Sequence, residues 1–474
     1  MFSNTHLWYK KATYIITFFF VIILLAACKK DSFITSSNAT LLTSVDTLKF
    51  DTVFTSIGSV TQQFTITNNN SSKLQLSSVK LMGGQSSAYK ININGLPQIE
   101  AANIDIAAND SMYIFVTVNI NPNLNNLAFV VQDSIQIIYN GNTKYVQLEA
   151  FGQNANFLRS QTISSNRTFF NNLPYVILGN LRVDTNVILT IQPGCKIYAH
   201  ANAPILIDGT LLINATAANP VIFSGDRLDE GYKDLPASWP GIYFRGSSKN
   251  NVLQFVTVKN AYQAIVVESP ASNANPKIMM QQCIVDNAYA TGIFGINTSI
   301  QANNCLVSNC GSNIDIQLGG NYNFTNCTVA AYTPFFSHKN PVLSVNNFAT
   351  INGTTVVTDI DAAFINCIFW GESSIVKNEV IVNKLGNTMF SVALANCLYK
   401  AENDPENTTI TNCIKNSNPI FDSTDNNRNV YDFKITKNLD APGIDKGKTT
   451  LFFTDLSNNT RAIGQTDIGC YEKQ

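Results

Sequence analysis

Short runs in which apolar and polar residues alternate, broken every few positions by Asn, Gly or Ser, fill most of this chain. Phe64 and Ile66 alternate with Thr65 and Thr67, the pattern of a half-buried strand. DTLKFDTVF, QQFTIT, KLQLSSVKL, AYKINI, MYIFVTVNI, DSIQIIY and KYVQLEA follow one another between residues 45 and 152, separated by turn clusters such as Asn68-Asn69-Asn70-Ser71-Ser72. Tyr139-Asn140-Gly141-Asn142 reads as a hairpin turn. Past a polar join, the stretch from Val176 to Gly225 becomes a series of shorter strands with Gly, Asn or Pro between them.

About seven strands in about 110 residues predict an immunoglobulin-like β-sandwich over 45–152. A different order governs the rest. Cys283 stands in QQCIV, Cys305 in NNCLV and Cys327 in TNCTV, at two intervals of 22 residues. Cys367 (INCIF), Cys397 (ANCLY) and Cys413 (TNCIK) repeat the phrase at intervals of 40, 30 and 16. A repeated phrase with a period near 22 predicts a solenoid in which each repeat is one turn of chain. Stacked coils about 4.8 Å apart place like residue over like. The cysteines then serve as small inward hydrophobes. Asn304, Asn326, Asn366, Asn396 and Asn412 form an amide ladder at the bend that satisfies turn carbonyls.

The composition fits β-structure rich in turns: 45% hydrophobic, 13% charged, and asparagine at roughly one residue in eight. With 31 basic and 32 acidic residues and no long basic run, nothing directs the chain to nucleic acid. Lys10 and Lys11 precede an apolar run, Tyr14 to Ala27, that is short for a membrane span and reads as a signal segment. Leu25-Ala26-Ala27-Cys28 resembles the lipobox of bacterial lipoproteins. That resemblance implies cleavage before Cys28 and its acylation, so the membrane becomes a partner through lipid. Lys29 stands where aspartate would retain such a protein at the inner membrane. The outer membrane of a bacterial envelope is therefore the expected location, with the leaflet open.

FTITNNNSSKLQL resembles the immunoglobulin-like modules that precede larger domains in bacterial envelope proteins. The succession PGCKI, DGTLL, NPVIFSG and SWPGIYF resembles the opening coils of right-handed parallel β-helix proteins. The tail carries Asn418-Pro419-Ile420-Phe421, Asp432-Phe433, Ala441-Pro442-Gly443-Ile444-Asp445 and Asp467-Ile468-Gly469, which resemble the closing segment of bacterial surface β-helix proteins. The expected organisation is all-β: signal peptide 1–27, lipidated tether 28–44, sandwich 45–152, linker or N-terminal cap 153–175, right-handed parallel β-helix 176–415 and capping segment 416–474. Lipidation of Cys28 leaves nine of the ten cysteines, an odd number, so free buried thiols are expected. No CxxC occurs, and beyond the signal segment only His200 and His338 remain, which disfavours a zinc site.

Candidate chemistry is sparse. The Gly-His-Gly, Asp-Asp and Arg-Ile-Lys motifs of β-helical galacturonan hydrolases do not occur. Asp359 and Asp361, two apart on a strand, put two carboxylates on one side at about 6.5 to 7 Å between Cα atoms, near an inverting-glycosidase separation. The alternative is a pair of solvated acids at a strand end. The densest charge lies at 225–239. Asp226, Asp229, Glu230 and Asp234 there offer oxygen ligands suited to calcium, and Tyr232 and Trp239 offer faces for a sugar ring. Alternatively this is a solvated loop with Trp239 packed beneath the coil. The reading is a non-catalytic envelope lipoprotein presenting an extended surface to glycan or another surface polymer. A polysaccharide lyase or glycoside hydrolase of the β-helix type is the first alternative, and a structural or adhesive surface protein the second. Oligomeric state stays open.

Overall fold

The computed structural model describes residues 32–55, 58–121, 129–332, 335–373, 375–435, 437, 440–462 and 465–474. The signal segment and the proposed lipidation at Cys28 lie outside them. The described chain is nearly all β, relieved by one short 3₁₀ turn at Gly84–Ser86. Among the described residues no helix is long and apolar enough to cross a membrane. The chain divides into two compact units, 1–153 and 154–474.

In the first unit two five-stranded sheets share one core. Gln62–Asn68 and Tyr89–Ile93 flank Ser111–Val118 antiparallel in one sheet. In the other, Asn142–Gln153 pairs antiparallel with Phe129–Tyr139 and parallel with Thr47–Phe54. Alternation decides which residues meet: Phe64, Ile66, Leu76, Ile114, Ile137 and Leu148 are all buried, while Thr65 and Thr67 face outward. Asn140 and Gly141 both take positive φ, 44° and 81°, as a two-residue hairpin turn matched to strand twist requires.

The expected tether is corrected here. Leu41–Thr43 pairs with Gln62–Asn68, the Ile34 amide donates to the Lys73 carbonyl at 2.8 Å, and Ala39 and Leu41 are buried. Residues 33–44 are therefore packed into the sheet unit. Their Ser and Thr content conceals two apolar positions with somewhere to go.

The second unit is built on a 26-stranded sheet that winds in coils, each strand pairing in parallel with its equivalent on the next coil, two, three or five places on in chain order. Three rows result. One runs through Ile205–Ile207, Ile242–Phe244, Gln263–Glu268 and on to Val380–Asn383. A second contains Thr210–Asn214, Asn251–Gln254, Ile278–Gln281 and Ile360–Ile365. The third runs through Val256–Lys259, Ile284–Asp286, Leu306–Ser308, Thr328–Ala331, Ile368–Gly371, Leu398–Tyr399 and Ile414–Lys415. The coils begin earlier than the sequence suggests. Asn156–Ile163 and Arg167–Phe169, expected in the linker, already pair with the strands of the next coil.

Inside the coils like stacks on like. Ile205, Ile242, Ile265, Ile293, Ile314, Leu343 and Val380 form one fully buried column, and the Phe324 and Phe364 rings stack at 5.5 Å. Cys283, Cys305, Cys327, Cys367, Cys397 and Cys413 form another on six successive coils. All are thiols, and all but the half-exposed Cys413 are buried. Each sulfur lies 3.2 to 3.7 Å from a carbonyl of the coil before it, such as Cys305 Sγ to Met280 O at 3.7 Å.

One residue earlier the chain turns the corner through a single left-handed residue. Gln282, Asn304, Asn326, Asn366, Asn396 and Asn412 take φ between 51° and 53°. Asparagine tolerates that conformation at least cost among side chains of its size. The expected ladder is only partly an amide-on-amide column, because most of these side chains face the tail. Asn366 bonds Asn326, but Asn326 also reaches Thr450 Oγ1, Asn396 the Lys446 carbonyl, and Asn304 accepts from Arg461.

The tail accordingly runs along the side of the coils over these corners. Phe433, Leu456, Ile468 and Cys470 cover an outward apolar patch of Leu306, Ala330, Ile368, Trp370 and Leu398. This corrects the expectation of an end cap. Apolar side chains on the outer face of the third row are what the tail buries. Arg461, 2% exposed, braces the tail internally by donating to Glu472 at 3.0 Å and to the Gly469 carbonyl at 2.8 Å, and ties it to the coils by donating to Asn304 Oδ1 at 3.1 Å.

Candidate functional site

Where the tail closes against the third row it leaves a cleft of about 390 Å³. Strand register supplies its floor: Lys259 pairs with Asp286 and Asp286 with Ser308, so three polar side chains stack outward on three coils beside Ile284 and Leu306. A second row of left-handed asparagines follows, Asn260, Asn287 and Asn309, with φ of 61°, 57° and 55°. Tyr431, Phe433 and Tyr471 come from the tail, and Phe335 and Asp234 from loops.

These groups are tied to one another. The Asp286 Oδ1 accepts from Ser308 Oγ at 2.7 Å and from Asn309 Nδ2 at 3.2 Å. Burial pushes this carboxyl above its ordinary value, against those hydrogen bonds and the charge of Lys259. Asn287 donates to the Asp234 carbonyl at 2.7 Å and to Asn260 Oδ1 at 2.8 Å. Its own Oδ1 is buried with no hydrogen-bond partner. Tyr431 and Phe433 lie parallel at 6.1 Å, and the Tyr431 hydroxyl donates to the Tyr332 carbonyl at 3.1 Å. Burial pushes that phenol up to about 12, so it is a neutral donor at every ordinary pH.

Of the residues singled out from sequence, Asp234 alone among those at 226–239 lines this cleft. Asp226 bonds His200 at 2.7 Å. Asp229 holds Arg227 by two bonds of 2.7 Å, and that guanidinium lies 3.7 Å from the Tyr232 ring centre, covering one of its faces. Glu230 pairs with Lys233. Trp239 is 1% exposed with its Nε1 donating to the Lys259 carbonyl, so it packs under the coil and offers no sugar platform. The four acids thus do not converge as a calcium cage, and among the described residues no group of three or more His, Cys, Asp or Glu gathers at metal-holding distance. Asp359 and Asp361 are exposed, Asp359 accepting from the Met389 amide at 2.9 Å, and neither reaches the cleft.

Lys259, Asp286, Asn287, Ser308, Tyr431 and Tyr471 escaped the sequence reading. One signal was present. TVKN, IVDN and LVSN, ending at Asn260, Asn287 and Asn309, repeat a phrase just beyond the cysteines. The tail's contribution had no local signal, since it depends on where the tail docks.

No protein-family model matches the chain, and no curated protein matches it. Solved structures give distant likenesses. A family 123 glycoside hydrolase from Clostridium perfringens, described for glycolipid glycan hydrolysis, shares 12% identity over 24% of this chain and 26% of its own, with a TM-score of 0.17. The chain thus spans about a quarter of that enzyme. The catalytic unit of a thermostable GH87 α-1,3-glucanase from Streptomyces thermodiastaticus shares 12% identity over 75% of this chain and 88% of its own, TM-score 0.23. A second GH87 α-1,3-glucanase catalytic domain, in complex with tetrasaccharides, shares 10% over 74% and 87%, TM-score 0.15. With TM-scores this low, these likenesses decide nothing about activity.

Proposed function

We propose that this chain is an envelope lipoprotein whose coiled unit binds glycan without cleaving it, in the cleft between the tail and the third row. On this reading Cys28 carries the lipid, the first unit is an immunoglobulin-like spacer, and the coils form a right-handed parallel β-helix of the bacterial surface type. The observation that carries it is the cleft's chemistry: aromatic rings from the tail beside a carboxylate, an amide oxygen and a lysine from successive coils. Sugar rings need that pairing of apolar CH faces with directed hydrogen bonds.

A second reading, a carbohydrate-active enzyme, is favoured by one observation. Asp286 is a carboxyl shifted upward by burial in a cleft, the condition of a general acid. The cleft holds Asp234 as a second carboxylate, but that residue is exposed at the rim. The test mixes the purified full chain with a panel of polysaccharides and scores retention together with new reducing or unsaturated ends. Retention without new ends is expected. New ends that vanish in Asp286→Asn would replace the binder by the enzyme, and absence of both would remove the glycan reading.

A further inference from the structure

Resting on the glycan reading, we infer that the cleft selects a sugar that presents hydrogen-bond donors and carries no carboxylate, so that neutral or amino-bearing glycans bind and uronates do not. The inference starts from an imbalance. Asn287 is 6% exposed, and while both bonds of its Nδ2 are made inside the protein, its Oδ1 has no partner. A buried carbonyl left unbonded is unfavourable, so the floor of the cleft carries surplus acceptor capacity. The neighbouring residue also has acceptor capacity to spare. Both hydrogen bonds to Asp286 fall on Oδ1, and among the described residues none is donated to Oδ2. Acceptors therefore outnumber donors at Asn287 and Asp286, and a sugar hydroxyl or amine supplies a donor to the open Asp286 Oδ2.

Charge points the same way. Asp234 and Asp286 face the cleft against the single cation Lys259 among its lining residues, leaving it one negative charge when all are ionised. A ligand carboxylate would sit against that charge and could not itself donate to Asp286 Oδ2. Polysaccharide lyases act on uronates, so this chemistry also bears against the lyase alternative.

The test is isothermal titration of the full chain with three probe sets of matched length: neutral hexose oligosaccharides, N-acetylhexosamine or hexosamine oligosaccharides, and oligouronates, each repeated with Asp286→Asn. Loss of one charge-assisted hydrogen bond should weaken binding of the neutral or amino set about tenfold or more. The same variant should narrow the discrimination against oligouronates. Thermal unfolding of the variant confirms its fold. Oligouronates binding as tightly as the neutral set, or Asp286→Asn leaving affinities unchanged, would overturn the inference while the glycan reading stands. Failure of all three sets to bind would instead overturn the glycan reading.

Discussion

Asn366 donates from Nδ2 to Asn326 Oδ1 on the preceding coil at 2.8 Å, and the same nitrogen donates to the Lys448 carbonyl of the tail at 2.8 Å. The Lys448 amide returns to Asn366 Oδ1 at 3.0 Å. One side chain thus joins two coils to the segment that covers them, from a left-handed backbone position with φ 53°.

Replacing it separates the two roles. Asn366→Ala should cost about 3 kcal/mol, roughly 1 from the left-handed backbone and the rest from the buried Asn326 amide and the Lys448 backbone groups losing their partner. Asn366→Gly should recover about 1 of this, since glycine takes positive φ freely. Urea denaturation of the three proteins measures both differences.

The thiol column should be silent in the folded protein. Burial pushes the Cys283, Cys327 and Cys367 thiols up, while at Cys305 and Cys397 the same burial is outweighed by hydrogen bonds from the stacked cysteines, so it is enclosure that keeps the column unreactive. Alkylation of the native chain followed by peptide mass analysis should label Cys413 first, the half-exposed member of the column. Cys305 and Cys327 should react only after unfolding.

Tail docking should hinge on Arg461. It bonds Glu472, the Gly469 carbonyl and Asn304 Oδ1, all buried. Arg461→Met leaves the Glu472 carboxylate without its cation, a loss of about 3–5 kcal/mol. Hydrogen exchange in peptides from 455–474 should accelerate sharply, while the inner coil strands around Ile265 and Ile293 keep their protection.

Asp286 should trade stability for binding. Because burial raises its folded-state pKa above the usual 3.8, the folded chain keeps a proton that the unfolded chain has already released. Stability from this group is therefore greatest below that window and falls as pH rises through it. Asp286→Asn should unfold at higher temperature than wild type at pH 7, the difference shrinking toward pH 4, with weakened glycan retention. A functional carboxylate behaves this way; a structural one would not.

Lys277 gives a second titration. It is fully buried, its ammonium donating to the carbonyls of Arg245, Gly246 and Glu268 at 3.1, 2.9 and 2.6 Å, and burial lowers the amine to about 8. Against 10.5 in the unfolded chain, unfolding takes up a proton between these values, so this group makes stability rise with pH from 8 to 10.5. Carbon NMR of the labelled lysine side chain should show one resonance titrating near 8.

Much of the coil was legible because its stacking is periodic. The spacing of Cys283, Cys305 and Cys327 gives both the coil length and the inward face, and the preceding asparagines mark the corner. The tail could be recognised by its phrases but not placed, since its docking depends on outward residues such as Ile368 and Trp370 that look like any strand positions. The cleft was missed for the same reason. Asp286 and Tyr431 lie far apart in sequence and meet only after the tail has folded back. Residues 226–239 drew notice through charge density, yet Asp229 and Arg227 satisfy each other within the loop.

The most direct measurement is hydrogen–deuterium exchange of the full chain with and without the best-retained oligosaccharide. Protection confined to peptides spanning 284–309 and 429–433 is the predicted result. Protection centred on 226–233, or none despite saturating ligand, would contradict the assignment of the cleft.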